Sequence, residues 1–281
     1  MFPSVLAVLL FGMMPVGNSG PVSTLDAALL QVSSPSPLAA GVLPDALRGK
    51  TLTASGVTIV DLETSEPLFA KNADARRPIA SLTKLMTAVL IVEHHKLSEW
   101  VTVPKVITTI PDSVHLTPGQ HFRVGELLTA MLVSSSSEAA YSLAVFHSGS
   151  ETDFALEMNE RAKSLGLTGT SFANATGFDS VNQWSTARDV AKLATFALHI
   201  PELRARLSLS NASVQSREGT KIVLEQTHHL LRTDTPVIAG KTGTTDGAGE
   251  CLMSVVREKN RDYLVVLLAS RERYRDMRVL L

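Results

Sequence analysis

Ser81-Leu82-Thr83-Lys84 opens an apolar stretch that continues through Leu85, Met86, Ala88, Val89 and Val92. If that stretch is a helix, Lys84 lies one turn beyond Ser81 and on the same face, within reach of its hydroxyl. A serine hydroxyl becomes a nucleophile when a base takes its proton, and a lysine serves as that base when burial or a second cation keeps it neutral part of the time. The same residues also suit a plain helix start, with Ser81 as the cap and Lys84 in solvent. With 28 Ser and 10 Lys in 281 residues, roughly one S-x-x-K arises by accident. Lys241-Thr242-Gly243-Thr244 is more informative, because the composition gives only about 0.05 accidental K-T-G triplets. A lysine and a threonine at a strand edge hold a carboxylate by charge and hydrogen bond, and a glycine lets a second backbone lie close. The third group is Ser134-Ser135-Ser136-Ser137-Glu138. Ser135 with Glu138 three positions later reads as a capping box, and such a capped turn is rigid enough to present a hydroxyl to a cleft.

Rival chemistries find little support. The eight histidines form no H-E-x-x-H, and the pairs His94-His95 and His228-His229 send successive side chains in different directions, so no metal is expected. No G-x-S-x-G elbow, Walker loop or dinucleotide glycine loop occurs, and no cofactor is expected. Cys251 is the single cysteine, which excludes an internal disulfide and reads as a small buried hydrophobe. A formal net charge of -1 offers no field for nucleic acid, and 44% hydrophobic with 19% charged residues excludes a disordered chain.

The elements that must position these groups are legible from periodicity. Strands are expected at 56–62 and 67–71, as a hairpin, and at 237–244, 251–257 and 263–270. Helices are expected at 81–95, 124–132, 138–146, 152–165 and 186–199. Strands at both ends with helices between them imply an α+β, three-layer domain with an antiparallel sheet joined by the two termini, better than alternating βαβ units. The ten-residue apolar run 5–14 and the small residues after it read as a secretory signal over 1–20. It is shorter than the roughly 20 residues of a membrane span, although an uncleaved anchor is the alternative. Residues 21–49, rich in Ser, Pro, Ala and Gly, read as a linker, and the domain is expected over 50–281. The mature chain is expected outside the cytoplasmic membrane.

Taken together, Ser81-x-x-Lys84, the serine turn at Ser135 and Lys241-Thr242-Gly243 resemble the motif set of penicillin-binding proteins and serine β-lactamases. The segments around Pro78–Ala88, 116–119, 177–180, 185–189 and 240–249 narrow the resemblance to the low-molecular-mass D-alanyl-D-alanine carboxypeptidases, peptidase S11, over roughly 50–281. That resemblance implies a five-stranded antiparallel sheet flanked by helices, with a helical insertion walling the cleft between Ser81 and Lys241. It implies that Ser81 attacks a D-Ala-D-Ala peptide, Lys84 moves the proton, and Ser135 relays a proton to the leaving amine. Lys241 and Thr242 would bind the terminal carboxylate, Lys241 would depress the proton affinity of Lys84, and the N–H groups of Ser81 and Thr244 would form the oxyanion hole. Peptidoglycan stem peptides and, as covalent inhibitors, β-lactams are the implied partners. A DD-endopeptidase and a catalytically silent wall-binding module are the rival readings. A fast β-lactamase is disfavoured because no Glu-x-x-x-Asn stretch lies between Ser137 and Lys241. The family's serine turn reads S-x-N, whereas Ser137 stands in the asparagine position here, with a single hydroxyl on a shorter arm. Only residues 271–281 follow Ser270, so no carboxy-terminal membrane anchor is expected and attachment, if any, would come from the amino terminus.

Overall fold

The computed structural model describes residues 51–106, 114–233 and 235–281. The expected signal and linker, 1–20 and 21–49, lie outside the described residues. Strands β1 (Gly56–Asp61), β2 (Pro67–Lys71), β7 (Val237–Thr245), β8 (Gly249–Glu258) and β9 (Arg261–Ser270) form one antiparallel sheet in the order β2-β1-β9-β8-β7. Strands from the two ends of the described region therefore meet in one sheet, as the pattern of strands implies.

Side chains alternate between the faces along each strand. On β9, Leu264, Val266 and Leu268 enter one core while Val265 and Leu267 enter another; on β8, Cys251 and Met253 face the first and Leu252 and Val256 the second. Both faces are apolar because both are covered. Helix α7 (Arg273–Leu280) packs on β8 and β9 over the smaller core. The larger core holds α1 (Lys84–His94), α2 (Val124–Val133), α3 (Ser137–Ser148), α4 (Glu151–Ser164), α5 (Ala187–His199) and the short α6 (Pro201–Leu207). Helix α5 lies against β1 and β9, and α1 is packed by α3, α5, α2 and α4, so the motif helix runs through the middle of the helical layer. Among the described residues, no helix is long and apolar enough to cross a membrane.

Two small hairpins complete the fold: β3 (Trp100–Thr102) with β4 (His121–Arg123), and β5 (Asn211–Gln215) with β6 (Lys221–Glu225). These hairpins, α6 and α7 are not among the elements expected from the sequence. The second hairpin was visible in principle: Val214 and Leu224 are buried between exposed neighbours on both strands, and Gly219 turns the loop at φ +93°. Caps set the helix starts. Ser150 accepts from the Asp153 N–H to start α4, and Thr186 accepts from the Asp189 N–H to start α5.

The expected capping box at Ser135 is not formed. Ser136 is the N-cap of α3, its Oγ accepting from the Ala139 N–H at 3.1 Å, while Glu138 turns away to accept from the Leu116 N–H at 2.6 Å. Ser135 stands one residue earlier in a left-handed conformation, φ +60°. That is a costly backbone for a residue with a Cβ, and it frees the Ser135 hydroxyl from capping.

Candidate active site

Ser81 lies in a single 3₁₀ turn, Ala80–Thr83, that leads directly into α1 at Lys84. The turn brings the two side chains together as the three-residue spacing requires: Lys84 Nζ is 2.9 Å from Ser81 Oγ. The amine also donates to the Thr176 carbonyl at 2.5 Å and lies 3.3 Å from Ser137 Oγ. Lys84 is fully buried beneath Ser81. A neutral amine in this place can accept the Ser81 proton, which is the arrangement of an activated serine nucleophile.

Strand β7 supplies the facing wall. Among the described residues it pairs only with β8, so its other edge carries no strand, and it packs against the 3₁₀ turn that holds Ser81. Gly243 passes so near the nucleophile that a Cβ on it would lie 2.8 Å from the Ser81 backbone nitrogen and 3.0 Å from the Ala80 Cβ. Lys241 is fully buried, and its Nζ donates to Ser135 Oγ at 2.7 Å and to the Thr242 carbonyl at 2.8 Å. Burial holds its proton affinity well below that of an ordinary lysine, and the charges of Lys84 and then Arg273 push it the same way. The Thr242 hydroxyl donates to Thr227 Oγ1 at 2.6 Å. The structure thus brings Ser81, Lys84, Ser135, Ser137, Lys241, Thr242 and Thr244 to one place. It sets Ser135 against Lys241 and Ser137 against Lys84, and it sinks Lys241 behind the cleft surface.

A strap between α4 and α5 closes one end. Gly177 at φ +92° permits the approach, because a Cβ there would stand 2.2 Å from the Ala80 carbonyl oxygen. Asn174 accepts from the Gly177 N–H and the Thr176 hydroxyl, and Asp179 accepts from the Thr245 hydroxyl at 2.6 Å and the Gly247 N–H at 2.9 Å. The cleft so enclosed has a volume of about 440 Å³ and is lined by Ser81, Ser135, Ser137, Thr176, Phe178 and Thr244, among others. At its strand side Arg273, from α7, donates to Thr244 Oγ1 at 2.8 Å and to the Gly243 carbonyl at 2.9 Å. Sequence reasoning missed Arg273 and Thr176. Neither sits in a motif, and Arg273 reaches the cleft only because α7 folds back across the sheet. Among the described residues no group of three or more His, Cys, Asp or Glu is arranged to hold a metal ion.

The sequence pattern of peptidase S11, described as D-alanyl-D-alanine carboxypeptidase, matches residues 44–271. The chain belongs to that family. This S11 member is 31% identical over 233 residues to a D-alanyl-D-alanine carboxypeptidase of Bacillus subtilis, covering 80% of this chain and 60% of the relative. It is 31% identical over 231 residues to a D-alanyl-D-alanine endopeptidase of Escherichia coli, covering 79% and 73%. The chain therefore spans less than two thirds of the Bacillus relative's length. Among solved structures it superposes on penicillin-binding protein D2 of Listeria monocytogenes, in its ampicillin-bound form, with a TM-score of 0.69 and 29% identity, over 83% of this chain and 97% of that one.

Proposed function

We propose that this S11 member is a serine DD-carboxypeptidase that releases the terminal D-Ala from peptidoglycan stem peptides through an acyl-enzyme on Ser81. The observation that carries the reading is the 2.9 Å contact of a buried Lys84 amine with the Ser81 hydroxyl, beside a second buried amine on an open strand edge. The peptide lies along β7, where the outward backbone groups of an edge strand can pair with an extended chain. Its terminal carboxylate meets Thr244 and Arg273, with Lys241 adding charge from behind Thr242.

Ser81 Oγ forms a bond to the carbonyl carbon of the penultimate D-Ala while its proton passes to Lys84 Nζ. The N–H groups of Ser81 and Thr244 stabilise the oxyanion. A proton arriving on Lys84 increases the repulsion felt by Lys241, so Lys241 yields a proton through Ser135 to the leaving nitrogen, and the C–N bond breaks. Water then attacks the ester. Its proton returns to Lys241 by way of Ser135, and Ser81 Oγ leaves with the proton held on Lys84, which restores both amines. Ser137 offers one hydroxyl where the family's asparagine offers an amide, at a cost on the order of 10²-fold in rate, comparable to losing an oxyanion donor.

The domain is read as acting on the wall outside the cytoplasmic membrane, with β-lactams acylating the same serine. The E. coli relative named an endopeptidase keeps a second substrate in view: a D-amino-acid crosslink cut by the same residues. Mass analysis of products decides between them. Release of free D-Ala from a pentapeptide supports the carboxypeptidase; conversion of crosslinked dimers to monomers without free D-Ala supports the endopeptidase. Neither product from a folded protein overturns both.

A further inference from the structure

Glu151 is the first residue of α4, where an acidic side chain commonly faces solvent and offsets the helix dipole. Here it turns inward. Its Oε1 accepts from the Ala175 N–H at 3.0 Å, inside the strap that closes the cleft. The Ala175 carbonyl accepts from Thr87 Oγ1 of α1 at 2.7 Å, and the next carbonyl, Thr176, accepts from Lys84 Nζ at 2.5 Å. Consecutive bonds therefore run from Glu151 through Ala175 and Thr176 to the amine that contacts Ser81. Burial raises the Glu151 carboxyl above its ordinary value, against the smaller downward pull of the Ala175 N–H and the Lys84 charge. The charged groups around the amine come from several elements: Glu151 on α4, Lys241 on β7, and Arg273 of α7 acting on Lys241. Glu138 on α3 is one residue from Ser137 but bonds the Leu116 N–H.

We propose that Glu151 is a positioning residue for Lys84, holding the Ala175–Thr176 strap that orients the amine and supplying the negative charge that tempers repulsion between the two buried lysines. The inference rests on the acyl-enzyme reading above. Its sign is definite. A carboxylate near Lys84 favours the protonated amine, so removing the charge while keeping the acceptor lets the amine act as a base at lower pH.

The test is the rate of Ser81 labelling by a fluorescent penicillin from pH 5 to 9, for the wild type, Glu151→Gln and Glu151→Ala, with thermal unfolding of each. The glutamine amide oxygen can still accept from Ala175. Glu151→Gln is expected to keep a plateau rate within about 3-fold of the wild type while its acid limb moves down by about half to one pH unit. Glu151→Ala, which releases the strap, is expected to lose about 10-fold or more at every pH. A Glu151→Gln profile that superimposes on a labelled wild type overturns this inference alone, even if Glu151→Ala fails to fold. Failure of the wild type to label at Ser81 overturns the parent reading instead.

Discussion

The two walls of the cleft hold their polar groups by different means. On the strand wall the backbone does the placing: Lys241 faces Met253 and Gly243 faces Cys251 in the ladder with β8, and the space around them is filled. Both Gly243, against Ser81, and Gly240, where a Cβ would lie 2.4 Å from the His228 ring, are places where backbone needs the room. On the helical wall a four-serine turn between α2 and α3 does the placing, through one left-handed residue, Ser135, and one cap, Ser136. The strand wall is therefore sensitive to added volume and the turn wall to lost hydrogen bonds.

That contrast can be broken most sharply at Gly243. Gly243→Ala should lower penicillin acylation by about 10² to 10³-fold with circular dichroism unchanged, because the new methyl displaces the Ser81 backbone. Near-normal acylation would show that the strand wall is not tightly packed there. On the opposite wall, Ser137 lines the cleft, so Ser137→Asn would present an amide to the substrate, and D-Ala release should rise by as much as about 10²-fold. No gain would mean that this turn does not use the position as a donor.

A stability measurement sharpens the same contrast. Burial, followed among the lowering influences by the charge of Arg273, depresses the His228 imidazole to about 3 from its ordinary 6.5. Between those values the unfolded chain binds the proton and the folded one does not, so stability falls as pH drops through that window. Urea unfolding should show a loss of about 2 kcal/mol between pH 7 and pH 5 in the wild type that is absent from His228→Asn. Parallel curves would remove His228 as the cause. The smallest effect is expected from Ser136→Ala, about 1 kcal/mol of stability from the lost cap, read from the unfolding midpoint. A larger fall in acylation than in stability would show that the cap also places Ser135.

The strand wall was also the more legible in sequence. The K-T-G triplet is improbable by chance and sits at the end of an apolar run, so its strand is readable from period, while its place across the cleft from Ser81 comes with the resemblance to the penicillin-binding proteins. The serine turn was readable as a rigid loop, but four identical residues hide which one caps. The register fell on Ser136 because Glu138 is drawn to Leu116 on a distant segment, a tertiary contact that local rules do not contain. Arg273 and Glu151 were invisible for the same reason. Each is an ordinary charged residue until α7 or α4 brings it to the cleft. The β5–β6 hairpin is a different case, since the alternation that turns Val214 and Leu224 inward is already present in the sequence.

Every proposed step begins at the Ser81 hydroxyl. The decisive measurement is peptide mass spectrometry of the full chain after incubation with a fluorescent penicillin, beside a Ser81→Ala control. A covalent adduct on Ser81 in the wild type, absent from the control, is the predicted result. A folded wild type with no adduct, or an adduct that persists in Ser81→Ala, would contradict it.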